Sequence, residues 1–312
     1  MSSALLASGL GDFLRDAVDL QVQVDAIGLG AVFALMAVGI GLVFGVMRLV
    51  NFAYGQLIMA GAFALAYASD RDWPVGVGIA LCFAVVLALS LAMEHVVFRP
   101  LRTQSAAVML IATFAVAFLL QSIALLWFGP LGKTATSLVE LNRPVEVGGV
   151  DIRKITIVAI VTAAVCLALL LLLLNRTSIG LHMRAAAIDS QTARLLGVRA
   201  NLVSTVSVLI AGALAAVVAV MLTVQFPTVT PTFALQETIL VLAGVVVGGM
   251  TRLLPATLGG FLIGYVSGLL GGALPSSQSQ YLPSFLFGLV ILVLVIRPDG
   301  LFTRKRGLVE RV

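Results

Sequence analysis

Charge is scarce in this 312-residue chain: Asp, Glu, Lys and Arg together make up 11% of it, against ~25% in a soluble domain. So little charge cannot cover a water-facing surface, which excludes a soluble globular protein. Cysteine is rarer still. Cys82 and Cys166 are the only two, each inside an apolar run, and they offer neither metal spacing nor a disulfide framework. Histidine also occurs only twice, at His95 and His182. The sequence has no GxxxxGK(S/T) loop, no HExxH and no Ser/His/Asp set in a suitable context, so it offers no nucleotide-binding loop and no catalytic set. No cofactor, metal or nucleic-acid partner is expected. Acidic residues inside the apolar runs, the usual mark of ion coupling, are nearly missing. Glu94 closes the third run and Glu237 precedes the seventh.

What fills the chain is hydrocarbon: 61% of residues are hydrophobic and the mean hydropathy is +1.14. Inside lipid only helices and closed barrels satisfy the backbone. The runs here have the length of spanning helices, and the ten-residue alternation of a barrel is missing. The sequence therefore predicts an all-α integral membrane protein, a polytopic bundle of 8–9 transmembrane helices. The runs are 26–47, 52–69, 73–97, 105–128, 155–174, 201–224, 238–250, 256–274 and 282–296. Broken or short helices are expected near 46–56 and 238–256, the second because run 238–250 is too short to cross alone and Pro255 separates it from the next. Residues 1–25 read as an amphipathic surface segment, 26–298 as one transmembrane domain, and 299–312 as a basic tail.

Placed on alternating sides of nine crossings, thirteen of the nineteen Lys and Arg fall on one side and six on the other. The richer side is expected to be cytoplasmic, with the N-terminus outside and the C-terminus inside. Trp73 and Trp127 then both fall at outer ends, where aromatic belts form.

Three local patterns stand out. Gly260, Gly264, Gly268 and Gly272 recur every fourth residue and make a small-residue stripe for close helix packing. Residues 175–200 form an inner loop with four arginines and an unexpectedly apolar stretch, "MRAAAIDSQTARLLGV". It reads either as a short helix docking into another protein or as one lying on the bilayer. Arg184, Ala185, Ala186, Asp189, Ala193, Leu196 and Gly197 are its candidate contacts. Finally, "FGVMRLVNFAYGQLIMAGAF" interrupts an apolar run with polar groups. Gly45 and Gly55 would permit a helix break, and Asn51, Tyr54 and Gln56 would supply hydrogen-bonding groups for a passing polar solute. The alternative is a plain cytoplasmic turn. "VGGMTRLLPATLGG" echoes this block in the second half, which suggests an internal repeat of the kind many transporters carry.

Several blocks resemble ABC importer permeases of the branched-chain amino acid type, specifically the LivH-like subunit. They are "GLVFGVMRLVNFAYGQLIMAGAF", "MEHVVFRPLR", "RTSIGLHMRAAAIDSQTARLLGVRANLVSTVSVLIAGALAAVVAVML", "VVVGGMTRLLPATLGGFLIG" and "PDGLF", in that order across nearly the whole chain. The resemblance implies a permease subunit that is not itself an ATPase, in a bacterial inner membrane. It implies three kinds of partner besides the lipid bilayer and its solute: a second LivH/LivM-type permease, two cytoplasmic ATP-binding subunits docking at 175–200, and an extracytoplasmic solute-binding protein. Tyr54 stands where the family usually has histidine, Thr251, Arg252 and Leu253 replace a small Gly-Ser segment, and Leu240 stands where many members have lysine. The solute is thus a branched-chain amino acid or a related small polar molecule such as urea, an amide or an aromatic acid. An ion-coupled carrier or channel working alone is the rival reading.

Overall fold

A computed structural model describes residues 19–302, apart from 103, 148–149, 251, 276–277 and 298–299. Most of the expected surface segment and basic tail, and Thr251, lie outside the described residues.

The hub is α1 (Leu20–Met47). Asp19 starts it by accepting the Gln21 N–H, and from Ala26 to Val43 every residue but Ile27 and Leu29 is buried. A helix buried on all sides has no amphipathic stripe, and this one is apolar around its whole circumference. Its first turns occupy residues 20–25, so the helix begins earlier than the hydrophobic run suggested; Gln21, Gln23 and Asp25 are carried at its polar end.

Around α1 stand α2 (Tyr54–Ser69), α3 (Val75–Leu101), α4 (Ala106–Phe128), α5 (Lys154–Arg176), α6 (Ser178–Ile188), α7 (Ser190–Leu195), α8 (Ala200–Gln225), α9 (Leu235–Gly248), α10 (Leu253–Ala273) and α11 (Leu282–Ile296). Six of these helices, α1, α3, α4, α5, α8 and α10, are long and apolar enough to cross a membrane. α2, α9 and α11 are apolar but shorter, at 16, 14 and 15 residues. α1 and α8 are mostly buried, whereas α3, α4 and α5 expose most of their apolar surface, as helices facing lipid do.

The closest packing is α10 on α1. The glycine stripe faces the hub: a Cβ at Gly260 would strike Ala37, one at Gly264 Phe33, one at Gly268 Ala26 and one at Gly272 Val22. Backbones approach this closely only where side chains are missing. α2 is lodged between α3 and α8, with Gly61 against Val86, Cys82 and Ala219.

The bundle has two distinct ends. At one, Arg153 pairs with Asp25 at 3.1 Å, and Ser69 bonds Thr136. There β1 (Lys133–Thr134) pairs with β4 (Thr228–Val229), and β2 (Pro144–Val147) forms a hairpin with β3 (Val150–Arg153). These small sheets depart from the all-α chain that the sequence predicts. The other end gathers the α1–α2 turn at 48–53 and residues Arg102, Gln104 and Met250 with α6 and α7.

Three local expectations change. Pro255 does not separate two helices but sits in the first turn of α10, where its missing N–H has no helical partner to lose. The stretch 183–198 is not one helix, because Asp189 (φ −148°, ψ 107°) ends α6. Its carboxylate then accepts the Thr192 N–H at 3.2 Å and starts α7. α3 runs on past residue 97 through a π-helical turn, Glu94–Phe98. Pro100 follows, offering no N–H and crowding the carbonyl of Val96, which suits a widened turn.

Candidate functional site

The polar interruption lies where α1 gives way to α2. The chain leaves α1 at Arg48, whose φ of 56° is left-handed, a conformation that costs an L-residue ~1 kcal/mol or more. Neither Gly45 nor Gly55 makes the break; both are helical. Gly55 is small for another reason: a Cβ there would strike Thr238 Oγ1 and crowd the Ala234 carbonyl at the start of α9.

All three polar side chains of the block are inside the subunit, with Asn51 3% exposed, Tyr54 1% and Gln56 0%. Asn51 has a local task, its Oδ1 accepting the Ala53 N–H at 3.0 Å as α2 begins. The other two have none. The Tyr54 hydroxyl and both amide atoms of Gln56 are buried without a hydrogen-bond partner among the described residues. Tyr54 is pressed on α1, where a Cβ at Gly39 would collide with its hydroxyl. Three other buried hydroxyls behave differently: Ser207, Thr223 and Thr238 each bond the carbonyl four residues back on their own helix, while the Ser90 hydroxyl shares the unpaired state among the described residues. Leaving an amide unpaired costs ~1–3 kcal/mol, so Tyr54 and Gln56 are costly where neighbouring polar residues are not.

At the end carrying Asp25 and Arg153 a cavity of about 560 Å³ opens between α1, α9 and α10. Its walls include Gln21, Asp25, Arg153, Gln225, Gln236 and Glu237, and its floor Leu29, Phe33 and Leu240. Leu240, one of the positions where this chain departs from the family pattern, thus faces a polar space.

At the opposite end the loop 175–200 folds back onto the bundle. An Arg48 guanidinium nitrogen donates to the Ala187 carbonyl at 2.8 Å, tying the α1–α2 break to α6. Met250 and Leu253, beside the α9–α10 break, share a cavity of about 300 Å³ with Arg184 and Ile188. α6 is thus bonded to the first interruption and faces the second across a cavity. The expected contacts of this loop divide by face. Ala186 and Ala193 point into the bundle, at 8% and 4% exposed, while Leu196 is 81% exposed. Arg184 and Gly197 are also exposed and Ala185 half-buried. Arg184 reaches Asn175, and Asp189 caps α7. Ile188 and Leu195, absent from the sequence-based set, are 83% and 88% exposed. An isoleucine and a leucine among arginines were the available signal.

Glu94, at the inner end of the third run, pairs with Arg102. Its Oε1 lies 3.1 Å from the guanidinium with the carboxylate side chain 1% exposed, and Arg102 also donates to Asn201 at 2.7 Å. Burial pulls the Arg102 pKa down, Glu94 raises it, and the neighbouring Arg194 and Arg99 lower it again.

Residues 23–295 match the family model described as the permease component of branched-chain amino acid transport systems. The chain belongs to this family. The permease BraD of Pseudomonas aeruginosa, described as part of a high-affinity branched-chain amino acid transport system, is 30% identical over 305 residues. That match covers 94% of this chain and 98% of BraD. LivH of Escherichia coli is 27% identical over 305 residues, covering 94% and 97%. Among solved structures, an inward-facing metal-chelate-type ABC transporter superposes with a TM-score of 0.51 at 18% identity, covering 95% of this chain and all of that one. The likeness extends to the fold. A permease of this family is a transport subunit of an ABC system, which sets aside the self-sufficient carrier or channel.

Proposed function

We propose that this permease forms, with a second LivH/LivM-type permease, the membrane pathway of an ATP-driven importer for branched-chain amino acids or a related small polar solute. Two ATP-binding subunits dock on α6–α7 and supply the energy. An extracytoplasmic binding protein delivers solute to the end bearing Asp25, Arg153 and Glu237. That end faces outward, the N-terminus with it, and α11 ends in the cytoplasm, a reading supported by the excess of arginine at the α6–α7 end. Nine helices, with α2, α9 and α11 shorter than the rest, build the subunit. Asn51, Tyr54, Gly55 and Gln56 line the path when α2 and α9 part; the missing partners of Tyr54 and Gln56 support this.

The observation that carries the docking is the exposure of Ile188, Leu195 and Leu196, at 83%, 88% and 81%, on an arginine-studded segment. Large apolar side chains grouped on a water-facing segment mark an interaction surface. Placing cysteine at Leu196 and crosslinking within the assembled transporter tests it. The expected product joins the permease to an ATP-binding subunit and responds to nucleotide. A cysteine labelled only by lipid-phase reagents, with no such product, would mean that the segment lies on the bilayer and docks nothing.

A further inference from the structure

The α6–α7 end holds a second cavity, of about 500 Å³, lined by the inner faces of α6 and α7 and by the starts of α4 and α8. Three of its lining residues are arginines from three separate segments: Arg48 ends α1, Arg102 lies between α3 and α4, and Arg194 belongs to α7. Among the described residues no carboxylate lines it. Glu94, just outside the lining, neutralises one of the three charges through Arg102; among the described residues Arg48 and Arg194 have no ion pair, Arg48 donating instead to the Ala187 carbonyl. Two long helices also begin at this wall. Gln104 and Ala106 line it at the start of α4, and Ala200, Val203 and Ser204 line it at the start of α8. α8 has no side-chain cap, so first-turn N–H groups remain free, and helix N-termini attract anions. The guanidiniums are close enough for Arg194 to destabilise the charge on Arg102.

Converging cations of this kind repel one another unless an anion sits between them. We infer that this cavity binds a phosphate group, held by Arg48, Arg102 and Arg194 and by the first turn of α8. Guanidinium forks and helix N–H groups suit a tetrahedral oxyanion, which accepts several charge-assisted bonds at once. The cavity is larger than a bare phosphate needs, so the group belongs either to free phosphate or to an anionic phospholipid headgroup. In both cases it clamps the end of α1 to α7, and Ala186 and Ala193 share the same wall. The anion thereby stiffens the joint between the helix break and the α6–α7 segment. The inference does not depend on what docks at Leu196.

Thermal unfolding of the assembled, purified transporter reads this out independently of uptake. In detergent, inorganic phosphate should raise the melting temperature saturably where chloride of equal ionic strength does not. Arg194→Gln, at an exposed position that leaves the fold intact, should weaken the apparent affinity about tenfold, while Arg194→Lys should keep part of it. Stabilisation by nanodiscs of phosphatidylglycerol over phosphatidylcholine, without a response to free phosphate, supports the headgroup form. Absence of both responses overturns the inference, as does a response that Arg194→Gln and Arg48→Gln leave unchanged. So does loss of the ATP-binding subunit from Arg194→Gln without any anion response, since a partner carboxylate would then fill the cavity.

Discussion

The Arg48 guanidinium donates to the carbonyl of Ala187 at 2.8 Å, joining two residues 139 positions apart in sequence. One closes the central helix in a left-handed conformation, and the other belongs to the segment proposed to meet the ATPase. On the proposed docking, a pull on α6 would reach the point where α1 breaks, six residues before Tyr54. α6 also shares a cavity with Met250 and Leu253 at the second break.

Arg48 can be separated from its conformation by substitution. Arg48→Gly removes the guanidinium but suits φ 56° better than any L-residue. The variant is expected to fold as well as the parent, or better by about 1 kcal/mol, and to lose uptake while ATP hydrolysis continues. Uptake and hydrolysis measured together in proteoliposomes check this. Uptake at the parental rate would mean that Arg48 transmits nothing.

The glycine stripe makes an internal control possible. Gly264→Ala drives a methyl into Phe33 and the Gly30 backbone, and overpacking of this kind costs ~1–3 kcal/mol. Gly271 lies on the same helix, and a methyl added there would meet nothing within 4 Å, so Gly271→Ala should be neutral or slightly stabilising. Thermal unfolding in detergent should separate the two variants clearly. Equal melting temperatures would refute the claim that the α1–α10 approach limits stability.

Much of this architecture is legible in the sequence because lipid leaves the backbone few options. Run lengths and the four-residue glycine period each report on one helix at a time. What escaped depends on neighbours. Gly55 reads as a hinge until Thr238 is found against it. Ala186 and Ala193 read as docking contacts until they turn inward, because helical phase in a short segment cannot be fixed when Asp189 restarts the helix. Gly197 looked like a docking contact whose bulky replacement would uncouple transport. Its φ of 87° means that any side chain strains the turn itself, so Leu196 is the cleaner probe. The Arg48–Ala187 bond, spanning the whole first half of the fold, left no local trace.

Glu94 and Arg102 test how much the inner end relies on a buried ion pair. Glu94→Gln leaves the Arg102 guanidinium without its carboxylate, and breaking such a pair costs ~3–5 kcal/mol. Glu94→Met combined with Arg102→Met should recover a large part, since a well-packed apolar pair is often as stable as the ions it replaces. Unfolding of the single and double variants completes the cycle. Additive losses would show that the two residues do not act as a pair.

Gln56 offers the sharpest separation of structure from function. Its side chain is fully buried, both amide atoms lack partners among the described residues, and the cost falls on the resting state. Gln56→Met keeps the length and approximate volume but removes the polar atoms, so the burial penalty of ~1–3 kcal/mol should be partly returned as stability. If the amide serves the solute when α2 moves away from α9, the same change should slow uptake severalfold while leaving ATPase assembly intact. Stability and uptake are then expected to move in opposite directions, a pattern that a merely structural glutamine does not produce. A stabilised variant with parental uptake would remove Gln56 from the path. A destabilised one would reveal an ordered water or neighbouring group bonded to the amide in the resting protein.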